Sequence, residues 1–404
     1  MSACESRSLA RRMDGLALSD IVQIKQRAAQ LAGEGRRIVD LSIGEPDFDT
    51  PHHIRDAAAS AMASGATHYT ATAGTPALRA AIARKLARDN RRTAAPGEII
   101  VGVGAKQIIA NALLATVEAG DEVIIPAPFW SNYVDMVRFA GGTPVIVPCA
   151  MANGFLMTPD QLEAAVTPRT RWLMLNSPSN PTGACYTLDR LRALAHILER
   201  HPHVRVMEDA IYERLIYPGH TYHSILDAST ALSDRTLWIS GVSKAFAMTG
   251  WRIGYGVGPK PLIDAMAVVS AQTTSHPCSI AQAAAVAALD GCQDVIDQFR
   301  SAFERRRAIV CDGLSALPGI DLIAPAGAFY LFAGVSELLA TMTGRGIEND
   351  RGLADYFLES AGVALVPGSS FGAPGHVRLS FAAADDALRH AVDRITAAVR
   401  ALAR

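Results

Sequence analysis

Between about residue 99 and residue 240 the chain repeats one pattern, in which a short apolar run is followed by a stretch of helical spacing and then by another apolar run. The runs are Ile99-Ile100-Val101, Val123-Ile124-Ile125, Val145-Ile146-Val147, Leu173-Met174-Leu175, Val204-Arg205-Val206-Met207 and Leu237-Trp238-Ile239. Strands that are apolar on consecutive positions bury both faces, and parallel strands joined through helices achieve that. The pattern predicts an α/β fold with a mostly parallel central sheet and helices on both faces. Ile253 to Gly258 follows its predecessor too closely for a helical crossover, so it can pair antiparallel.

Outside this block, apolar spacing predicts helices over 19–35, 52–64, 76–89 and 187–200, with a short strand at Ile38 to Ile43. A long alanine-rich helix follows Gly258-Pro259. From about residue 290 the pattern changes to a long amphipathic helix over 293–316, short strands around 329–332, 364–366 and 376–381, and helices over 351–361 and 385–402. The run Glu304-Arg305-Arg306-Arg307 reads as a solvated face of the long helix. The expected division is an N-terminal arm with part of a small domain over 1–45, a large domain over 46–290, and a smaller α+β domain over 291–404.

Composition excludes several classes of protein. Half of the 404 residues are hydrophobic, 19% are charged and the net charge is −1, which fits a globular chain with no electrostatic call for nucleic acid or an anionic membrane. No apolar segment reaches the roughly 18 residues of a membrane span. Residues 1–12 are polar with no apolar stretch behind them, so the expectation is a cytoplasmic protein without a secretory signal. Cys4, Cys149, Cys185, Cys278, Cys292 and Cys311 are scattered without CxxC spacing and read as free thiols. The pair His52-His53 and the turn His201-Pro202-His203 lack the partners of a metal site.

The residues that carry chemistry gather where strands end, which is where α/β sheets place their sites. Lys244 lies just past the strand at Leu237 to Ser240, among small and apolar neighbours and eight positions before Arg252. Desolvation and a nearby cation lower an ammonium pKa and free the lone pair for imine formation. Asp209 ends another strand and can face a cationic ring, with the phenol of Tyr212 nearby. Asn180 sits in the rigid loop Asn176 to Gly183. Trp130 can stack on a planar group. Gly104-Ala105-Lys106 joins a strand to a helix start, whose free N–H groups suit a phosphate. The turn Gly44-Glu45-Pro46-Asp47-Phe48 exposes N–H groups that can meet a carboxylate, and the hydroxyl-rich loop at Tyr69 is either a phosphate contact or a solvated connector. An amine, a carboxylate, a rigid amide, a phenol, an aromatic plate, a phosphate nest and two arginines (Arg252, Arg378) together suit pyridoxal 5′-phosphate.

With these motifs in this order, the sequence resembles the class I/II aminotransferases of pyridoxal-phosphate fold type I over nearly its whole length. The motifs are Gly44-Glu45-Pro46-Asp47-Phe48, Tyr69 with Gly74, Gly104 to Gln107, Asn180-Pro181-Thr182-Gly183, Asp209 to Tyr212, Ser243-Lys244 through Gly254, and Val377-Arg378-Leu379-Ser380. It looks closest to the bacterial aspartate aminotransferase-like branch, subgroup I-beta. The resemblance implies that Lys244 forms the imine and moves the substrate's Cα proton, with Ser243 beside it at the cofactor. Asp209 would keep the pyridine nitrogen protonated, Asn180 and Tyr212 would bind the ring 3-oxygen, and Trp130 would stack on the ring. Arg252 and residues 104–106 would hold the phosphate, with Tyr69 reaching it from the other subunit of a homodimer. Arg378 would grip the α-carboxylate opposite Gly44.

The implied reaction is transfer of an amino group from an α-amino acid to a 2-oxo acid by a ping-pong cycle. Lys106 stands where related sequences favour a dicarboxylic substrate, which points to aspartate and glutamate. Asp20-Ile21 stands where they have small or hydroxyl residues, and a carboxylate there would repel an acidic side chain. Neutral, aromatic or other amino acids, or a β-lyase reaction on the same fold, are therefore the alternatives. Gly241 occupies a position where many relatives carry a phosphate-touching hydroxyl. A transcription regulator on this fold would need a DNA-binding extension, and only about 40 residues precede Gly44.

Overall fold

The computed structural model describes residues 10–342 and 346–402; Cys4 and most of the polar N-terminal stretch lie outside them. After β1 (Val39–Asp40), seven strands form the main sheet: β2 (Ile99–Val103), β3 (Glu122–Ala127), β4 (Thr143–Pro148), β5 (Thr170–Asn176), β6 (Arg205–Asp209), β7 (Thr236–Gly241) and β8 (Ile253–Val257). Their order across the sheet is β2-β8-β7-β6-β5-β3-β4. β3 to β7 pair in parallel. β8 is antiparallel to both β2 and β7, because Gly241 to Ile253 is too short a link for a helical crossover.

The unbroken apolar runs are buried on both faces as expected. Ile124, Leu173, Leu175 and Val206 pack against Leu191, Leu194 and Leu198 of the helix Leu188–Arg200. Residues one position along the same strands, Ile125, Met174 and Met207, face the other way onto Ile108, Ile109 and Leu113 of the helix Ala105–Thr116. This alternation gives a sheet with two cores.

The later part of the chain builds β9 (Asp321–Leu322), β10 (Tyr330–Gly334), β11 (Val363–Ala364), β12 (Val366–Pro367) and β13 (His376–Ser380). Four of them form an antiparallel sheet ordered β12-β13-β10-β9, and β11 instead pairs in parallel with β1. The strand expected around 364–366 is thus two strands that serve different sheets. The expected alanine-rich helix is also two, Lys260–Thr273 and Ser279–Asp290, broken where Ser275 adopts φ +61° just ahead of Pro277.

A further sequence reading is overturned. The run 304–307 is not a solvated face, because Arg306 is buried in the helix Asp294–Ser315. Its Nη1 and Nη2 donate to the two carboxylate oxygens of Asp47 at 2.7 and 2.9 Å, and its Nε donates to Asp385 at 3.1 Å. The guanidinium also lies 4.9 Å over the Phe48 ring, which stacks on Phe299. Arg307 stands 4.5 Å over Tyr217. These contacts pin the 44–48 turn to the long helix.

Among the described residues, no helix is long and apolar enough to cross a membrane. The described cysteines are free, and Cys149 and Cys311 are buried.

Candidate active site

Lys244 follows β7, just past the C-terminal ends of the parallel strands, and is only partly buried. Its Nζ donates to the Gly44 carbonyl at 2.7 Å, so this turn presents an acceptor to the amine rather than only the N–H groups expected from sequence. Burial brings the Lys244 ammonium down to a pKa of about 8, against the pull of Glu45; Arg252 and Arg378 lower it further. An amine that titrates there is largely available as a nucleophile at mildly alkaline pH.

Asp209 terminates β6 and is buried. Its two oxygens accept from the Tyr133 hydroxyl at 2.6 Å and the Ile211 N–H at 3.2 Å. Burial raises its pKa, and those two bonds oppose the rise. A carboxylate supported in this way is suited to a buried cation such as a pyridinium N–H. Tyr133 was not marked by sequence; its place behind Trp130, at 5.4 Å and 88° between rings, depends on contacts that local spacing does not encode.

Arg378 on β13 is 1% exposed, yet among the described residues no carboxylate forms an ion pair with it. It donates through Nη1 to Asn180 Oδ1 at 3.0 Å and through Nη2 to the Ser42 carbonyl, and its Nε has no hydrogen-bond partner among the described residues. The rings of Tyr330 and Phe371 lie 4.7 and 4.9 Å from it. A buried guanidinium whose hydrogen-bond partners are neutral, with Asp40 acting on it only through space, is a ready receptor for a carboxylate. Because Arg378 can only donate, Asn180 must turn its oxygen to it, which leaves the amide's donor end for another ligand. Tyr212 is buried with its hydroxyl 2.8 Å from that of Tyr330, a second residue that sequence did not single out.

A phosphate-sized cradle is built nearby. Gly104 has φ +78° and caps the helix Ala105–Thr116, and a Cβ on it would strike the Arg252 guanidinium. A Cβ on Gly254 would strike the Ala105 backbone N, so two glycines bring the helix start and Arg252 together. A side chain at Gly241 would meet the backbone of Ile253 and Gly254, which leaves no room for a hydroxyl there. Lys106 stands 5.0 Å over Trp130 and donates to Asn132 at 3.3 Å. Burial and Arg252 lower its pKa. Ser243 is buried beside Lys244.

Tyr69 does not join this group: it is 94% exposed and meets His276 edge-on at 5.6 Å. A cleft of about 1240 Å³ lined by Asn90, Arg92, Tyr222, Trp238 and Lys260 includes none of these side chains. The amine, the buried carboxylate, the receptive arginine and the glycine cradle fit a phosphorylated pyridine aldehyde and an amino acid's carboxylate together.

Residues 36–395 match the family described as aminotransferase class I and II, and the chain belongs to that family. It is a transaminase of fold type I, and its cofactor is pyridoxal 5′-phosphate. The chain is similar to the aspartate aminotransferase of Rhizobium meliloti (strain 1021), at 48% identity over 96% of this chain and 95% of that protein. It is 48% identical to an aspartate/prephenate aminotransferase of Cereibacter sphaeroides, over 94% of this chain and 95% of that one. The crystal structure of the aspartate aminotransferase from Rhizobium meliloti superposes with a TM-score of 0.94 at 47% identity, covering 97% of this chain and 98% of the other.

Proposed function

We propose that this transaminase moves amino groups between acidic α-amino acids of the aspartate and glutamate type and their 2-oxo acids, in two ping-pong half-reactions. The observation that carries the reading is the Arg378 guanidinium, buried with neutral hydrogen-bond partners and a free Nε among the described residues, and close enough to Lys244 to lower its pKa. The substrate's α-carboxylate pairs with Arg378 and is flanked by the Gly44 turn, which fixes the Cα–H bond near Lys244. Lys106, over Trp130, supplies a cation for a distal carboxylate.

The Asp20 carboxylate, which alone would repel such a substrate, is paired with Arg351 at 2.8 Å and accepts from Ser370. That pairing lowers its pKa against burial and neutralises its field. The adjacent Ile21 packs against the Phe155, Phe332 and Phe371 cluster. The names of the relatives point the same way.

Bound pyridoxal phosphate supplies the electron sink for Cα–H cleavage. Lys244 is the amine that would hold the aldehyde carbon and, once free, would carry the proton away from the substrate Cα. Asp209 would keep the pyridine nitrogen protonated, Asn180 and Tyr212 would donate to the ring oxygen, Trp130 would cover the ring, and Arg252 with the N–H groups of 104–106 and Ser243 would hold the phosphate. Tyr69, exposed and apart, reaches the partner's phosphate in a cytoplasmic homodimer. Residues 46–290 form the large cofactor domain, and 291–404 with part of 1–45 form the small one, in keeping with the separate sheets.

The test is single-turnover absorbance of cofactor-loaded protein against one amino acid at a time. Fastest conversion to the pyridoxamine form with aspartate or glutamate is expected. Conversion only with neutral, aromatic or basic amino acids rejects acidic specificity, and release of pyruvate without conversion favours a lyase.

A further inference from the structure

Tyr330 touches three separate parts of this site. Its hydroxyl lies 2.8 Å from that of Tyr212, and its ring lies 4.7 Å from the Arg378 guanidinium. Its hydroxyl also fills the space that a Cβ on Gly44 would need, and the Gly44 carbonyl takes the Lys244 amine. The residue is 1% exposed, and β10 holds it by pairing Tyr330 with Ser380 of β13, two residues from Arg378.

Between two facing phenols the more acidic one donates. Burial raises the pKa of both, and Arg378 opposes the rise at both while standing directly over Tyr330. Asp209 also faces Tyr212 and pushes its pKa up, which makes it the weaker acid. The 2.8 Å contact allows either hydroxyl to donate; with the Tyr212 proton committed to the ring oxygen by its proposed role, Tyr330 donates and Tyr212 accepts. A phenol that accepts one hydrogen bond donates more strongly in the next.

We propose that Tyr330 is a positioning residue that transmits the charge state of Arg378 to the Tyr212 hydroxyl, so that a carboxylate arriving at Arg378 is felt at the oxygen to which Tyr212 donates. This rests on the proposed roles of Arg378 and Tyr212 above. Neutralising Arg378 weakens donation by Tyr330, then by Tyr212, and the nitrogen that Lys244 contributes at the cofactor becomes more basic. Arg378 also bonds Asn180, which gives a second, parallel route. The other charged groups facing Lys244 are Glu45, Arg252 and Asp209, and none depends on Tyr330 for its charge.

The experiment is a pH titration of the visible band of pyridoxal-phosphate-loaded protein, with and without maleate. It compares wild type, Tyr330→Phe, Tyr212→Phe and the double variant, with thermal melts to show that each is folded. Tyr330→Phe is expected to raise the titration midpoint by about 0.1–0.6 unit, since it removes only the roughly 10–30% by which the accepted bond strengthens donation by Tyr212. It should add nothing in the Tyr212→Phe background, and the upward shift expected when maleate is added to wild type should be smaller in Tyr330→Phe. An unchanged midpoint, the same shift in the Tyr212→Phe background, or an undiminished maleate response overturns the proposal. Wild-type protein that shows no titrating band, or no response to maleate, overturns the underlying roles and this proposal with them.

Discussion

Replacing Gly104 by alanine tests the cradle where the sequence is least forgiving. The residue sits at φ +78°, a conformation that costs a non-glycine residue roughly 1–3 kcal/mol. The new methyl also lands on the Arg252 guanidinium, which is held by a 2.8 Å bond from its Nη1 to the Thr249 carbonyl on a backbone already at φ +58°. Arg252 must swing away from the helix start and lose one charge-assisted hydrogen bond to the phosphate, worth about 1.5–3 kcal/mol. At about 1.4 kcal/mol per factor of ten, pyridoxal phosphate should bind roughly 10- to 150-fold more weakly. The assay is cofactor titration into apoprotein followed by absorbance, with Arg252→Met as the comparison, since it removes the charge without adding a methyl. Both variants should lose affinity by similar factors. A folded Gly104→Ala protein that binds the cofactor within about threefold of wild type would refute the reasoning.

Other consequences follow from groups far apart in sequence. Arg306→Met strips Asp47 of its bidentate partner and should cost about 2–3 kcal/mol, below the roughly 3–5 of a fully buried pair because Asp47 and Asp385 are partly exposed; urea unfolding measures it. Glu208, buried and accepting from Tyr222, Ser224 and the Ile225 N–H, has its pKa raised by burial from 4.5 to about 7. The folded state therefore holds its proton more tightly than the unfolded chain, and stability falls as pH rises from about 4.5 to about 7, then levels. Glu208→Gln should remove that loss, worth roughly 3 kcal/mol above pH 7, and unfolding at pH 5 and pH 8 checks it. Because Lys244 titrates near 8, covalent capture of pyridoxal phosphate by apoprotein should speed up with pH and level off above about 8; a rate still climbing toward 10.5 contradicts the lowered pKa.

What sequence made legible has a common physical basis. Lys244, Asp209, Asn180 and Gly104 each lie at or just past the end of a strand whose apolar run stops there, so the strand pattern alone places them at one end of the sheet. Tyr133, Tyr330 and Arg306 were not legible as part of the site or its support. Each acts on a segment far along the chain: Tyr133 on Asp209, Tyr330 on Tyr212 and Arg306 on Asp47. Periodicity reports which face of an element is apolar, and says nothing of which distant element meets it. The charged run at 304–307 shows the cost of that limit, since three arginines in a row look solvated until Asp47, Phe48 and Asp385 are brought beside one of them. The break in the alanine-rich stretch was missed for a local reason: a positive φ at Ser275 has no sequence mark of the kind glycine gives.

The central claim is that Lys244 is the amine that holds the cofactor. Borohydride reduction of the loaded protein followed by peptide mass mapping tests it most directly. The account predicts one pyridoxyl mass increment, on the peptide that carries Lys244, and none in Lys244→Ala. An increment on Lys106 or on scattered surface lysines, with the Lys244 peptide unmodified, would contradict it.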